Sequence, residues 1–217
     1  MPSAPDKSEI ERMIQEQLID RGIEDQRVLD AMRAVPRERF FPPDARHEAY
    51  EDRAAPIGHG QTISQPYIVA LMTERLEVRP EDRVLEVGTG SGYHTAILSR
   101  LAREVYTIER IKPLLDEAQQ RLRELGCTNV RFKHGDGTTG WPEFAPFDRI
   151  LIAAGAPRIP RLLLMEQLAD DGIAVLPVGP MDEQVLVKVR RRGGDLFTEE
   201  FCPCRFVKLI GEYGWQQ

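Results

Sequence analysis

The chain carries only three cysteines in 217 residues, an odd number that excludes a closed disulfide framework. Cys202 and Cys204 stand two apart, so they would share one face of a strand, and Cys127 follows a helical stretch. No second Cys or His pair stands nearby to make up the about four ligands of a metal site, so no metal is expected and the thiols read as buried or idle. Aromatic residues are scarce at 7%, and acidic residues outnumber basic ones 35 to 29. The resulting net charge of -6 argues against nucleic acid or an anionic membrane as a partner. The one basic run, Arg190-Arg191-Arg192, meets Gly193-Gly194 and reads as a solvated hairpin turn. No apolar run approaches the ~20 residues that cross a bilayer, and MPSAPDKSEI holds neither a basic leader nor an apolar core segment; both absences predict a cytoplasmic protein.

What the chain does have is an alternation of strand and helix patterns. Strands are predicted at Glu104–Ile108, Val130–His134, Phe147–Ala153, Ile173–Val178 and Val185–Arg190, with helices over Pro113–Leu125 and Ile159–Leu168. This order implies an α/β fold, a doubly wound and mostly parallel sheet with helices on both faces. The final segments VLVKVRRR and CRFVKLIGEY have no helix between them, so at least one runs antiparallel. Two amphipathic helices, marked by Ile10, Met13, Ile14 and Leu18 and then by Val28, Leu29, Met32 and Val35, precede the sheet and should pack on it. Phe40 to Gln65 has no sustained period, and Pro66 then opens a helix. The length suits one domain, 1–217, with a helical extension and loop up to about 78 and the sheet from about 79 onward.

The most informative stretch is VLEVGTGSGYHTA, where an apolar strand runs through Gly88, Gly90 and Gly92 into a helix. A dinucleotide site wants G-x-G-x-x-G, whereas here the third glycine falls one residue early. Glu86, two places before Gly88, would repel a pyrophosphate but welcome the ammonium of an amino-acid-bearing cofactor, and S-adenosylmethionine has such a group. Glu109 ends the next strand, where a carboxylate can accept both ribose hydroxyls. It would suit NAD equally, and it also reads as a solvated strand-end charge beside Arg110.

The chain resembles the protein-L-isoaspartate O-methyltransferases nearly throughout: in PIGHGQTISQP (56–66), in the glycine loop, in HGDG (134–137), in FDRILIAAGAP (147–157) and in GIAVLPVG (172–179). The glycine loop is shared by many methyltransferases, whereas GQTISQP is far more specific to this one. The resemblance implies a seven-stranded Rossmann-like sheet and methyl transfer from S-adenosylmethionine to the α-carboxylate of L-isoaspartyl residues in damaged proteins. S-adenosylhomocysteine is the implied product, and the methyl ester proceeds to L-aspartyl through a succinimide. An α-carboxyl, with a reference pKa of about 3.3–3.7, is already ionised at neutral pH and needs no general base.

By the same resemblance Ser64 is the catalytic residue, although its place before Gln65-Pro66 also suits a helix cap. Gln61, Thr62, Ile63 and Tyr67 would line the reacting end of the cofactor. Asp136 and Gly137, also readable as a turn, would meet the adenine, and Ile57, Gly58, His59 and Val207 would hold the peptide by its backbone. Roles in loop structure are expected for His59 and His134. Lys208 stands where proline is usual. The partners implied are isoaspartyl peptides and proteins, met by a monomer. A small-molecule or RNA methyltransferase would explain the glycine loop, Glu109 and Asp136 but not GQTISQP. A non-catalytic cofactor-binding module would require Ser64 to be idle.

Overall fold

The structure is a computed structural model that describes residues 7–216; Met1 to Asp6, on which the leader reading partly rests, lie outside them. Helix α1 (Lys7–Arg12) continues through a wide π turn over Met13–Leu18 and a short 3-10 turn that Gly22 ends at φ 89°. Helix α2 (Gln26–Ala34) starts where the Asp25 side chain accepts from Arg27 N and stops before Pro36. A small hairpin, β1 (Ala55–Gly58) and β2 (Gln61–Ile63), turns through His59 and Gly60 at φ 53° and 69°. It lies inside the stretch read as irregular, because strands of four and three residues are too short to declare a period. Helix α3 (Pro66–Leu76) then opens on Pro66 as expected.

The main sheet begins with β3 (Arg83–Val87), followed by α4 (Tyr93–Leu101), β4 (Glu104–Glu109), α5 (Lys112–Glu124) and β5 (Val130–His134). The chain then returns to the far side of β3 with β6 (Phe147–Ile152), α6 (Arg161–Gln167) and β7 (Leu168–Val178). The sheet closes with β8 (Gln184–Arg192) and β9 (Asp195–Cys204), giving the order β5-β4-β3-β6-β7-β8-β9. The first five strands pair in parallel, and β8 runs antiparallel to both of its neighbours, β7 and β9. Gly193 and Gly194, at φ 53° and 92°, make the tight turn foreseen after the three arginines, and Arg192 pairs with Asp195 across it.

The last strand departs from expectation. β9 is formed by Asp195–Cys204, so of the predicted CRFVKLIGEY only Cys204 lies in it, and beyond the strand Phe206 N donates to the Gln184 side chain and Lys208 makes a parallel bridge with Gly155. LFTEEF carries glutamates at exposed edge positions, which masks it as a strand in an apolarity scan. β7 also starts five residues before the predicted Ile173, beyond a register shift against β6.

Apolar side chains fill both faces. On one, Val84, Val105, Leu151 and Val175 meet the helical layer; on the other, Leu85, Ile108, Ile150 and Leu176 meet Leu163 and Leu164 of α6. The first helices pack on α3 and α4 and so form a second layer, whereas α3 itself lies against β6 and β7. Because β3 pairs with β4 on one side and β6 on the other, the chain reverses direction at β3, and a crevice opens beyond its carboxyl end.

Gly92 caps the loop at the start of α4 with φ 90°, and a Cβ there would stand 3.2 Å from Leu122 Cδ1 and 3.3 Å from Ala118 Cβ. Gly92→Ala should therefore cost roughly 1–2 kcal/mol for the left-handed backbone alone. That corresponds to a fall of about 2–8 °C in melting temperature. An unchanged calorimetric Tm would show that the loop tolerates a side chain.

Candidate active site

The crevice is a cleft walled by the glycine loop, the β2 end with Ser64, the ends of β4 and β6, and the Val207–Ile210 segment. Gly88, Gly90 and Gly92 all adopt positive φ, at 95°, 54° and 90°, so the loop folds back as only glycines do without strain. Glu109, at the end of β4, is 7% exposed and ties the wall together. Its Oε2 accepts from Gly90 N at 3.0 Å and its Oε1 from Ile111 N at 2.9 Å. Each oxygen keeps a further lone pair, so the carboxylate is held in place and can still accept two hydroxyls. Gly137 also lines the cleft, and a Cβ there would lie 2.3 Å from Val87 Cγ1, so this corner is closed to any side chain.

Ser64 lines the cleft, and its hydroxyl bonds to no protein group. It is not the helix cap: Gln65 holds that position, with no side-chain bond to the helix. The Ser64 backbone is fixed by Arg37, which is fully buried at 0% exposure. Arg37 Nη2 donates to the Ser64 carbonyl at 2.7 Å and Nε to the Ala49 carbonyl at 2.7 Å, with the guanidinium 4.6 Å from the centre of the Tyr93 ring. Burial lowers the Arg37 pKa. Arg37 is not singled out by the sequence; its one signal is a cation close to the apolar pairs Val35-Pro36 and Phe40-Phe41, and Glu38 and Arg39 beside it are charged and mask that signal.

Gln61, Thr62 and Ile63 share the cleft with Ser64, whereas Tyr67 faces away from it and carries the Arg21 guanidinium 3.6 Å above its ring. Glu86 is shut beneath the glycine loop at 0% exposure and does not reach the cleft. Thr95 and Thr107 hydroxyls both donate to its Oε2, its Oε1 has no partner, and burial pushes the carboxyl up to about 7. Asp136 likewise stands off the wall: its Oδ1 accepts from Thr138 N and Oγ1, and its Oδ2 from Glu212 N at 2.7 Å. Burial would raise the Asp136 pKa, but the bonds from Glu212 and Thr138 outweigh it and hold the value low.

Ile57, Gly58 and His59 line a neighbouring groove beside Phe40, Phe41 and Arg121, and that groove meets the cleft at Ser91. Val207 is on the cleft itself. Its carbonyl accepts from Gly155 N at 2.7 Å, and Leu209 N donates to Gly155 O at 2.9 Å. The alternation of a strand therefore turns the Lys208 N–H and C=O to the opposite side. His134 is exposed and bonds the Arg110 carbonyl through Nε2, a loop contact, and His59 is exposed in the hairpin turn. Cys127, Cys202 and Cys204 are free, and no group of three or more metal-ligating side chains occurs among the described residues.

A glycine loop at the switch point of a mostly parallel seven-stranded sheet, followed by a strand-end glutamate, defines an S-adenosylmethionine-dependent methyltransferase. The family model described as protein-L-isoaspartate(D-aspartate) O-methyltransferase matches residues 8–214. The protein-L-isoaspartate O-methyltransferase of Dictyoglomus thermophilum is 53% identical over 212 residues, covering 98% of this chain and 96% of its own. A second relative, protein-L-isoaspartate O-methyltransferase 2 of Pelobacter propionicus, is 55% identical over 207 residues, 94% of this chain and 92% of that one. A Plasmodium falciparum chain assigned to the same enzyme, solved in complex with S-adenosyl-L-homocysteine, superposes with a TM-score of 0.81 at 27% identity over 96% of this chain and 99% of its own. The chain belongs to the protein-L-isoaspartate(D-aspartate) O-methyltransferase family.

Two outcomes test this geometry. Arg37→Met strips the guanidinium donor from the buried Ala49 carbonyl and the half-buried Ser64 carbonyl, and an unsatisfied buried carbonyl costs about 1–3 kcal/mol. The denaturant midpoint should fall accordingly; an unchanged midpoint would mean that other donors replace the guanidinium. For Glu86, the folded value of about 7 lies above the ordinary 4.5, so between these the folded state keeps a proton that the unfolded chain releases. Its contribution is complete below pH 4.5 and is lost as pH rises through 7. Glu86→Gln, which cannot ionise, should gain on wild type across that interval in unfolding titrations. A constant difference would show a hydrated carboxylate.

Proposed function

We propose that the chain methylates the α-carboxylate of L-isoaspartyl residues and that Ser64 is the group that orients this carboxylate. The observation that carries the proposal is the Ser64 hydroxyl: it faces the cleft without a protein partner on a backbone clamped by a buried arginine. Bound S-adenosylmethionine supplies the electrophilic methyl group. A hydroxyl can donate to one carboxylate oxygen and leave the other free to attack, which a tight cation pair would not. With an acceptor that is ionised at neutral pH, approach geometry is the main catalytic resource, worth up to ~7–11 kcal/mol for well-oriented groups. The rigid clamp on Ser64 serves that requirement.

Glu109 would accept the ribose hydroxyls from its fixed position, and the Gly137 amide would meet the adenine edge. Asp136 supports the same corner by holding the turn at Thr138 and the chain at Glu212. Glu86 acts through the loop above it, as a buried support bonded to Thr95 and Thr107. The peptide would add alongside the free backbone edge of Lys208, with Ile57, Gly58 and His59 bounding the groove next to it, so that main-chain bonds give affinity irrespective of sequence.

We further take the protein to act as a monomeric single domain in the cytoplasm. Three free thiols support that reading, as does one core shared by the first helices and the sheet. No helix among the described residues is long and apolar enough to cross a membrane.

Labelled S-adenosylmethionine with an isoaspartyl peptide and its aspartyl twin tests the activity: label should pass only to the former, and transfer to neither would overturn the assignment. Ser64→Ala should cost about 1.5–3 kcal/mol, roughly ten- to a hundredfold in turnover, and weaken turnover more than cofactor binding. Turnover within twofold of wild type would remove Ser64 from the mechanism.

A further inference from the structure

His94, in the first turn of α4, lines the same cleft as Thr62 and Ser64, and it has no part in the reading above. It is 9% exposed, and its hydrogen bonding fixes its tautomer. Thr73 Oγ1 donates to the Val69 carbonyl at 2.7 Å, so it can only accept at its 2.9 Å contact with His94 Nε2. Nε2 therefore carries the proton, and Nδ1 is a bare acceptor. Nδ1 meets no protein group, and it is not among the orphaned side-chain atoms sealed in the interior, which leaves it open to the cleft.

Charge decides what such an acceptor serves. Among the described residues Glu109 is the only carboxylate that walls the cleft, and it is already committed to Gly90 and Ile111. Glu86, the acid that the sequence offered for an ammonium group, is closed off below the loop. A primary ammonium entering beside Ser64 and the start of α4 must therefore be met by uncharged acceptors, and a bare imidazole nitrogen is the strongest of these. We infer that His94 Nδ1 accepts a hydrogen bond from the α-ammonium of the cofactor's amino-acid group, with Thr73 as the residue that holds the imidazole in the accepting tautomer. Burial pulls the His94 pKa down to about 3, so the ring stays neutral and does not repel a cation.

The inference rests on the cofactor reading, and one set of calorimetric titrations separates the two. The probes are S-adenosylhomocysteine, which has the ammonium, and methylthioadenosine, which lacks the amino-acid group. Wild-type protein should bind both. His94→Leu should weaken S-adenosylhomocysteine about ten- to a hundredfold and leave methylthioadenosine within twofold. His94→Gln, which can present a carbonyl oxygen, should recover most of the affinity. Thr73→Val keeps the ring but frees its tautomer, and it should weaken the first probe severalfold and spare the second, which preserves the test if His94→Leu does not fold. Equal loss for both probes would make His94 a packing residue and overturn the inference, as would no loss for either. Failure of wild-type protein to bind S-adenosylhomocysteine would overturn the cofactor reading together with it.

Discussion

Parallel pairing on both sides of β3 is the constraint from which the rest follows. With β4 in register on one flank and β6 on the other, the carboxyl ends of three strands come to one edge. The chain must leave that edge through a turn tight enough to start α4. Three left-handed glycines make the turn possible, and the Glu109 carboxylate fastens it to the neighbouring strand through Gly90 N. Remove the pairing and neither the loop nor its clasp has a fixed place.

The buried groups that support this edge carry very little free charge. The Arg37 cation is enclosed and spent on two carbonyls, the Glu86 carboxyl is buried with a raised pKa, and His94 is kept neutral. The cleft wall is backbone, hydroxyl and apolar side chain, with the committed Glu109 carboxylate and the exposed Arg110 and Lys208 cations among its lining. Groups beneath the wall that are neutral or already spent suit a reaction between an anion and a sulfonium cation, which strong buried charges would hold in unproductive poses.

Much of this was legible in the sequence. Strand and helix patterns located β5 at Val130–His134 and the start of α3 at Pro66, and the glycine spacing pointed to the cofactor class. β9 escaped because an edge strand need not be apolar, and the β1–β2 hairpin because its strands are too short. Side-chain direction is the other limit. Glu86 and Asp136 stand at positions that suit ligand contact, yet one is turned under the loop by Thr95 and Thr107 and the other is drawn to Glu212 across 76 residues. Arg37 acts on Ser64 across 27 residues, a pairing no local pattern encodes.

The antiparallel end of the sheet has a practical side. β8 starts at the edge that bears the cleft and runs away from it, so the Gly193-Gly194 turn lies at the opposite edge, about nine strand residues or ~30 Å distant. The space around both glycines is open to 4 Å, but their φ of 53° and 92° disfavours any other residue, so a graft belongs between them rather than in place of either. That turn is accordingly the natural attachment point for a fluorophore, an affinity tag or an inserted domain, because a graft there is held by the sheet while the reacting end stays untouched.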